Sequence, residues 1–598
     1  MPFTPPSSFS TRPDLRGAFG MASSTHWLAT AAAQSVLERG GNAFDAAVAG
    51  GFVLHVVEPH LNGPGGDLTG LFATAGRPGE PVVLMGQGPA PAGATAEHCR
   101  AEGLDLVPGA GALAAAVPGA VDAWFVLLRD HGTWELADVL ALAAGYARDG
   151  HPVLGRVGAT IAAVSGLFAE HWPSSARQWM PAGRPPAAGE MIRNEAYARV
   201  LERLVAAGAG ARTREARIEA ARRVWREGFV AEAAAAFVSA PHRHSSGTDH
   251  AGVLTVEDFA SFEAGYEPAA TLEFRGHTVA KTGPWGQGPV LLQALAILDG
   301  FDDDRLDPST ALGAHTVLEA LKLALADREA WYGDDDVPLG HLLSPAYAAE
   351  RRALITDTAS HELRPGRVPG REPFLPPLRT EHGGGDTSAL PAAGEPTVRP
   401  TGETRGDTCH IDVVDRWGGM VAVTPSGGWL QSSPTIPGLG FCLGTRLQMT
   451  WLEGGPSRLT PGKRPRTTLS PTLVLRDGHA VAALGSPGGD QQDQWQLPWL
   501  LRTLVGGWTP QQAVDAPTLH TTSVPGSFWP RTWEPGGAVV EDRLGEHVLA
   551  DLARRGHRVV RAGDWSLGRL SVVTRDPATG VVGAAADPRG VQGYAAGR

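Results

Sequence analysis

The chain has 598 residues, 42% hydrophobic and 19% charged, a balance that lets most of it offset its ordering entropy by burial and excludes global disorder. Its net charge of −12, from 51 basic and 63 acidic residues without a basic block, excludes a duplex nucleic-acid partner, which would need a clustered positive face. Three scattered cysteines, Cys99, Cys409 and Cys442, make neither a CxxC nor a Cys/His ligand spacing, so no disulfide framework, structural metal or cofactor is expected.

The N-terminus, Met1-Pro-Phe-Thr-Pro-Pro-Ser-Ser, has neither a basic nor an apolar leader region, and no apolar run reaches ~18 residues. A soluble, cytoplasmic protein with no membrane partner is expected. Ser23-Ser24-Thr25 offers an N-cap for a helix through Leu37, stopped by Gly40-Gly41-Asn42. A second, small-residue helix over 43–57 leads into the loop Pro59-His60-Leu61-Asn62-Gly63-Pro64-Gly65-Gly66-Asp67, which reads equally as a tight connection or a functional loop. Residues 113–238 are mostly helical, with apolar three- and four-residue spacing over 135–146 and 197–207. A strand over 274–280 and helices over 290–298 and 316–332 follow. From about 364 to 405, Pro, Gly, Arg and Glu dominate, which predicts a long solvated linker. Beyond it, 409–414 with 420–424 and 469–475 with 480–484 read as two hairpins with Asp/Gly turns. The chain thus reads as helix-rich before the linker and sheet-rich after it, an α+β sandwich.

Gly406-Asp407-Thr408-Cys409-His410 places a hydroxyl where the linker turns into a strand. A Thr hydroxyl needs an adjacent base. Cutting between Asp407 and Thr408 would free an α-amine with a pKa of ~7.7–8.0, so that one residue supplies nucleophile and base. Cys409 is the rival, but its side chain should face the other side of the strand. Gly488-Gly489 after a strand end would let backbone N–H groups approach an oxyanion, and Thr467-Thr468 could add hydroxyls. His242, His244 and His250 read as a solvated loop rather than a ligand set, and Gly109-Ala110-Gly111 lacks the acidic residue of a dinucleotide site. Trp495 and Trp499 read as core; Trp429 and Trp451 could be core or face substrate.

Gly40-Gly41-Asn42-Ala43 with Asp45-Ala46-Ala47-Val48-Ala49, Glu58-Pro59-His60, Gly65-Gly66, the Asp407/Thr408 junction, Lys463-Arg464-Pro465, Ser470-Pro471-Thr472 and Gly485-Ser486-Pro487-Gly488-Gly489 occur in this order. This ordered set resembles the γ-glutamyltransferase family of self-processing N-terminal-nucleophile (Ntn) hydrolases. The resemblance implies an αββα four-layer sandwich built jointly by a large subunit, 1–407, and a small subunit, 408–598, cut from one precursor. It implies Thr408 as nucleophile, Thr424 as the hydroxyl near its amine, Gly488 and Gly489 as the oxyanion hole, and Ser426, Thr467 and Thr468 lining the acyl pocket. Two positions depart from the family pattern. Gln87, before Pro89-Ala90-Pro91-Ala92-Gly93-Ala94-Thr95, stands where the family has its carboxylate-binding Arg. Thr450-Trp451 follows Gln448-Met449, where the family has its ammonium-binding acid. Gln87 and Trp451 therefore imply a small-molecule substrate other than a γ-glutamyl compound, unless Arg446 swings in to replace the Arg. Related acylases, oxamate hydrolases and C–C bond hydrolases stay open, as do true glutathione hydrolysis, an unprocessed binding or scaffold relative, and a homodimer of processed heterodimers.

Overall fold

The computed structural model describes residues 3–380 and 408–598. The Ala43–Val57 helix is buried along its whole length, and a capping box begins it. Asn42 Oδ1 accepts from the Phe44 and Asp45 amides, and Asp45 accepts from the Asn42 N–H. Gly40-Gly41-Asn42 therefore ends the Trp27–Glu38 helix and also starts the next. The expected Ser/Thr cap of the first helix is corrected: Ser23 and Ser24 close the strand Gly20–Ser24, and His26 caps, accepting from the Leu28 N–H at 3.0 Å. That strand is paired on both sides, with Ile411–Asp415 and Tyr594–Gly597, so its backbone groups belong to the ladder.

The single strand expected over 274–280 is also corrected. Ala270–Phe274 and His277–Lys281 are antiparallel neighbours turning at Arg275 and Gly276, whose φ values of 49° and 78° suit a two-residue hairpin loop.

Two seven-stranded sheets stack. One runs Tyr594–Gly597, Gly20–Ser24, Ile411–Asp415, Met420–Ser426, Asp67–Thr74, Arg77–Gly86, Gly265–Pro268; the other runs Leu15–Gly17, Val582–Ala586, Ser571–Arg575, His479–Gly485, Thr472–Arg476, His277–Lys281, Ala270–Phe274. Met21, Leu71, Ala422, Leu473, Ala483 and Val573 form the apolar layer between them. Helices including Ala43–Val57 and Ala120–His131 cover the first sheet, and helices including Pro289–Leu298 and Ala311–Trp331 cover the second. This is the αββα sandwich. The expected split between a helical and a sheet half does not hold, because both sheets take strands from before and after the linker.

The linker is shorter than expected. Within 364–380, Gly366 N–H donates to Asp327 at 2.6 Å, Val368 is buried, and the Trp533 N–H donates to Arg379 O at 2.7 Å. Charged and Gly/Pro-rich composition is compatible with a segment fastened through its backbone. The rest of the expected linker, including Gly383-Gly384-Gly385 and Asp407, lies outside the described residues.

Candidate active site

Thr408 is buried at the start of the central strand, bridged to Ser426 across the ladder. Its Oγ1 lies 3.2 Å from Ser426 Oγ, and Gln492 Nε2 approaches it at 3.5 Å. Cys409 points the other way, into the helical layer, as strand alternation requires. There its Sγ donates to Glu58 Oε2 at 3.0 Å and accepts from Asn62 Nδ2 at 3.1 Å. Burial pushes the Glu58 carboxyl up, against hydrogen bonds from Cys409, Thr25 and Gln592. Thr424, opposite His410, contacts the His410 ring: Thr424 Oγ1 and His410 Nδ1 are 2.8 Å apart. His410 Nε2 is 2.8 Å from Asp412 Oδ1, and Ser571 Oγ donates to Asp412 Oδ2 at 2.7 Å. Burial raises the Asp412 carboxyl while His410 and Ser571 pull it down.

Gly488 has φ +98°, and a Cβ there would meet the Trp495 ring at 2.8 Å, so only glycine fits this turn. The loop is anchored on both sides. Gln287 Nε2 reaches Gly489 O at 3.5 Å, while Asp490 accepts from Ser527 N and Oγ at 2.8 and 2.6 Å and from Arg328. Gln287 also ties in the Thr467 segment, its N–H donating to Thr467 O at 2.9 Å. Thr467 Oγ1 accepts from the Leu469 N–H, whereas buried Thr468 Oγ1 has no hydrogen-bond partner. Gln492 Oε1 accepts from Ser470 N at 2.9 Å, completing a link from this segment to Thr408.

Beside Ser426 lies a cavity bounded by Gly66, Asp67, Gln87, Trp429, Arg446 and Phe528, among others. The early glycine loop is one of its walls. A Cβ on Gly66 would sit 2.1 Å from Ser426 O, so the close approach requires glycine. Gln87 Nε2 donates to Gly88 O, while its buried Oε1 has no hydrogen-bond partner. Arg446 is not available as a swinging replacement. Its Nε and Nη2 form a bidentate pair with Asp67, both at 2.7 Å, in a buried setting. Trp451 is outside this wall: it is fully buried, with the Arg531 guanidinium 3.6 Å from its ring centroid. Trp429 lines the cavity, and Trp495 and Trp499 are core. Two larger depressions, of about 640 and 520 Å³, include none of the predicted site residues.

The His242–His250 loop is packed rather than solvated. His244 accepts from the Leu113 N–H and contacts His242 O, and His250 contacts Glu102 and Thr248, so these rings are spent on local bonds. Among the described residues, His315, Glu319 and His557 could geometrically hold a cation. Lys322 Nζ already lies 2.7 Å from Glu319 and 3.4 Å from His557 Nδ1, so a resident ammonium fills that role. Burial first, then Lys322, lowers His557 to about 2.

This order of a strand-start threonine, a glycine oxyanion loop and a second-strand threonine inside an αββα sandwich was compared with known proteins. The Gamma-glutamyltranspeptidase family profile matches residues 29–597. The chain belongs to the γ-glutamyltranspeptidase family. It is 30% identical over 580 residues to the glutathione hydrolase-like YwrD proenzyme of Bacillus subtilis, covering 95% of this chain and 97% of the relative. It is 29% identical over 588 residues to the acylase ACY 1 proenzyme of a Pseudomonas species, covering 95% and 92%. A solved structure titled LmbA2991HD superposes with a TM-score of 0.93 at 55% identity, covering 99% of this chain and all of that one. Within a γ-glutamyltranspeptidase of this kind, sequence reasoning missed His410, Asp412, Asp67 and Gln492. The first two carried a signal, since they alternate with Thr408 at the two-residue period of a strand. Asp67 and Gln492 come from distant segments and had none.

Proposed function

We propose that this γ-glutamyltranspeptidase-family enzyme cuts itself between Asp407 and Thr408 and then uses Thr408 to hydrolyse or transfer an acyl group other than γ-glutamyl. The observation that carries the substrate reading is the Asp67–Arg446 pair. In the cavity beside Ser426, the one anion and one cation among the bounding residues are bonded to each other, and Gln87 is neutral. A γ-glutamyl head presents a carboxylate and an ammonium, and burying either without its own partner costs several kcal/mol. An acyl group that meets Trp429 and Phe528 with its apolar part suits these walls better. The relative named an acylase supports an amide-type substrate.

In this reading, the freed Thr408 amine takes the Oγ proton as Oγ attacks the acyl carbon, and the Gly488 and Gly489 amides receive the oxyanion. Collapse releases the leaving group, and water or an acceptor removes the acyl group from Oγ. Cys409 is held by Glu58 and Asn62 away from this face, which supports the threonine.

Intact-mass analysis of purified protein should find a fragment of about 190 residues beginning at Thr408. An uncut chain would favour a binding or scaffold role. Release of p-nitroaniline from γ-glutamyl, glutaryl, phenylacetyl and oxalyl anilides then tests the substrate. A kcat/KM for the γ-glutamyl anilide at or above the others would overturn the substrate reading and leave the nucleophile standing.

A further inference from the structure

The layer between the sheets is apolar except at the Thr408 end. There Thr424, His410, Asp412 and Ser571 form one chain of hydrogen bonds, each link 2.7 or 2.8 Å, and all four side chains are buried. Gly485 lies against the ring so closely that a Cβ would come within 2.2 Å of His410 Cε1. We propose that His410 and Asp412 are positioning residues that, through Thr424, fix the direction in which the Thr408 amine presents its lone pair. The proposal rests on the reading of Thr408 as the free N-terminal nucleophile.

The argument is one of proton directions, assigned from the partners. A carboxylate only accepts, so Asp412 takes the Ser571 hydroxyl proton at one oxygen and the His410 ring proton at the other. That proton then sits on Nε2, and Nδ1 is an acceptor. Thr424 must donate to Nδ1, which leaves its lone pairs to accept an N–H. Thr408 bridges Ser426, two residues along from Thr424 on the same face, so the two threonines are diagonal neighbours. An amine that donates to Thr424 keeps its lone pair for its own Oγ. When Oγ attacks, the O–H bond breaks, its proton passes to the amine, and the carbonyl π pair moves onto oxygen. On collapse that pair returns, the bond to the leaving group breaks, and the leaving group carries the proton away. Were Thr424 reversed, its hydroxyl would bond to the amine lone pair and withhold the base.

The elements packed on this chain present Ser23, Ser571 and the Gly485 backbone, none of them charged, so His410 and Asp412 are its titratable groups. Glu58 and Cys409 lie on the opposite face.

The test is Asp412→Asn in the full chain, because an Asn amide can donate to Nε2, move the ring proton to Nδ1 and reverse Thr424. Ser571→Ala, which removes one bond and no charge, is the milder companion. Two readings are taken on the cut protein: the amine pKa, from the pH dependence of Thr408 acetylation by acetic anhydride, and turnover of the best of the four anilides. In Asp412→Asn the amine pKa should fall by about half a unit or more, because the ammonium loses a nearby anion and the free base gains a donor. Turnover should fall at least about tenfold in kcat with KM little changed, and the acid limb of the kcat profile should move to lower pH. Ser571→Ala should shift the same quantities less. If Asp412→Asn stays uncut, the Ser571→Ala shift decides. A cut, active wild type whose variants keep its amine pKa and pH profile, losing only melting temperature or cut fraction, would overturn the positioning role alone. A wild type with no fragment starting at Thr408 would overturn the nucleophile reading and this proposal with it.

Discussion

Thr408 and Cys409 are neighbours in sequence with opposite surroundings, and the difference is one of strand parity. Thr408 Oγ1 sits with Ser426 and Gln492, while Cys409 Sγ is held by Glu58 and Asn62. Thr408→Ala should leave a full-length, inactive chain on a denaturing gel. Cys409→Ser should remain cut and active, since a serine hydroxyl can also donate to Glu58 and accept from Asn62. Gly485 is the other residue-scale control. Its missing Cβ is the space that the His410 ring fills, so Gly485→Ala must displace the ring or the strand. Overpacking of this kind costs about 1–3 kcal/mol, readable as a lower denaturation midpoint.

The oxyanion loop is held as an element rather than by its glycines alone. Asp490 joins it to Arg328 and Ser527, and Gln287 joins it to the Thr467 segment. Arg328, Arg466 and Arg531 are all fully buried and share Glu329 and Asp490 as their anions. Asp490→Ala would leave buried guanidinium charge with less compensation, and such a loss costs about 3–5 kcal/mol in unfolding free energy by denaturant titration. Gly488→Ala places a Cβ against Trp495 at a positive φ. It should reduce kcat by about 10²–10³ if the displaced N–H is an oxyanion donor. A change in KM alone would remove Gly488 from that role.

Interleaved strands govern the whole molecule. Ile411–Asp415 and Met420–Ser426 lie between Gly20–Ser24 and Asp67–Thr74, and the hairpin Thr472–Arg476 with His479–Gly485 pairs with His277–Lys281. A cut before Thr408 should therefore leave two pieces that co-elute in native size exclusion and part only in denaturant. Acid should unfold the sandwich early for a separate reason. Burial lowers His26 and His55 each to about 3, against ~6.5 in an unfolded chain. Each must stay neutral when folded, so the unfolded state binds more protons below pH ~6.5, and stability is full above that value and lost as pH falls toward 3. A melting temperature that stays level from pH 7 to 4 would contradict this assignment.

What the sequence determined by itself was local and periodic. The Ala43–Val57 helix, the hairpin turns, the strand-start Thr408 and the opposed Cys409 all follow from spacing and parity within a few residues, and the ordered motifs carried the family and with it the sandwich. Helix and strand edges near Ser23 and Phe274 were misplaced because ladder pairing and a two-residue turn outweigh local capping and propensity. Only the tertiary structure decided the site's electrostatics. Asp67 and Arg446, 379 residues apart, meet across the cavity, Arg531 covers Trp451, and Ser571 completes the His410–Asp412 chain from the facing sheet. The physical reason is range. Propensity and periodicity act through neighbouring backbone, whereas a buried charge takes its partner from whichever segment the stacked layers bring within about 3 Å.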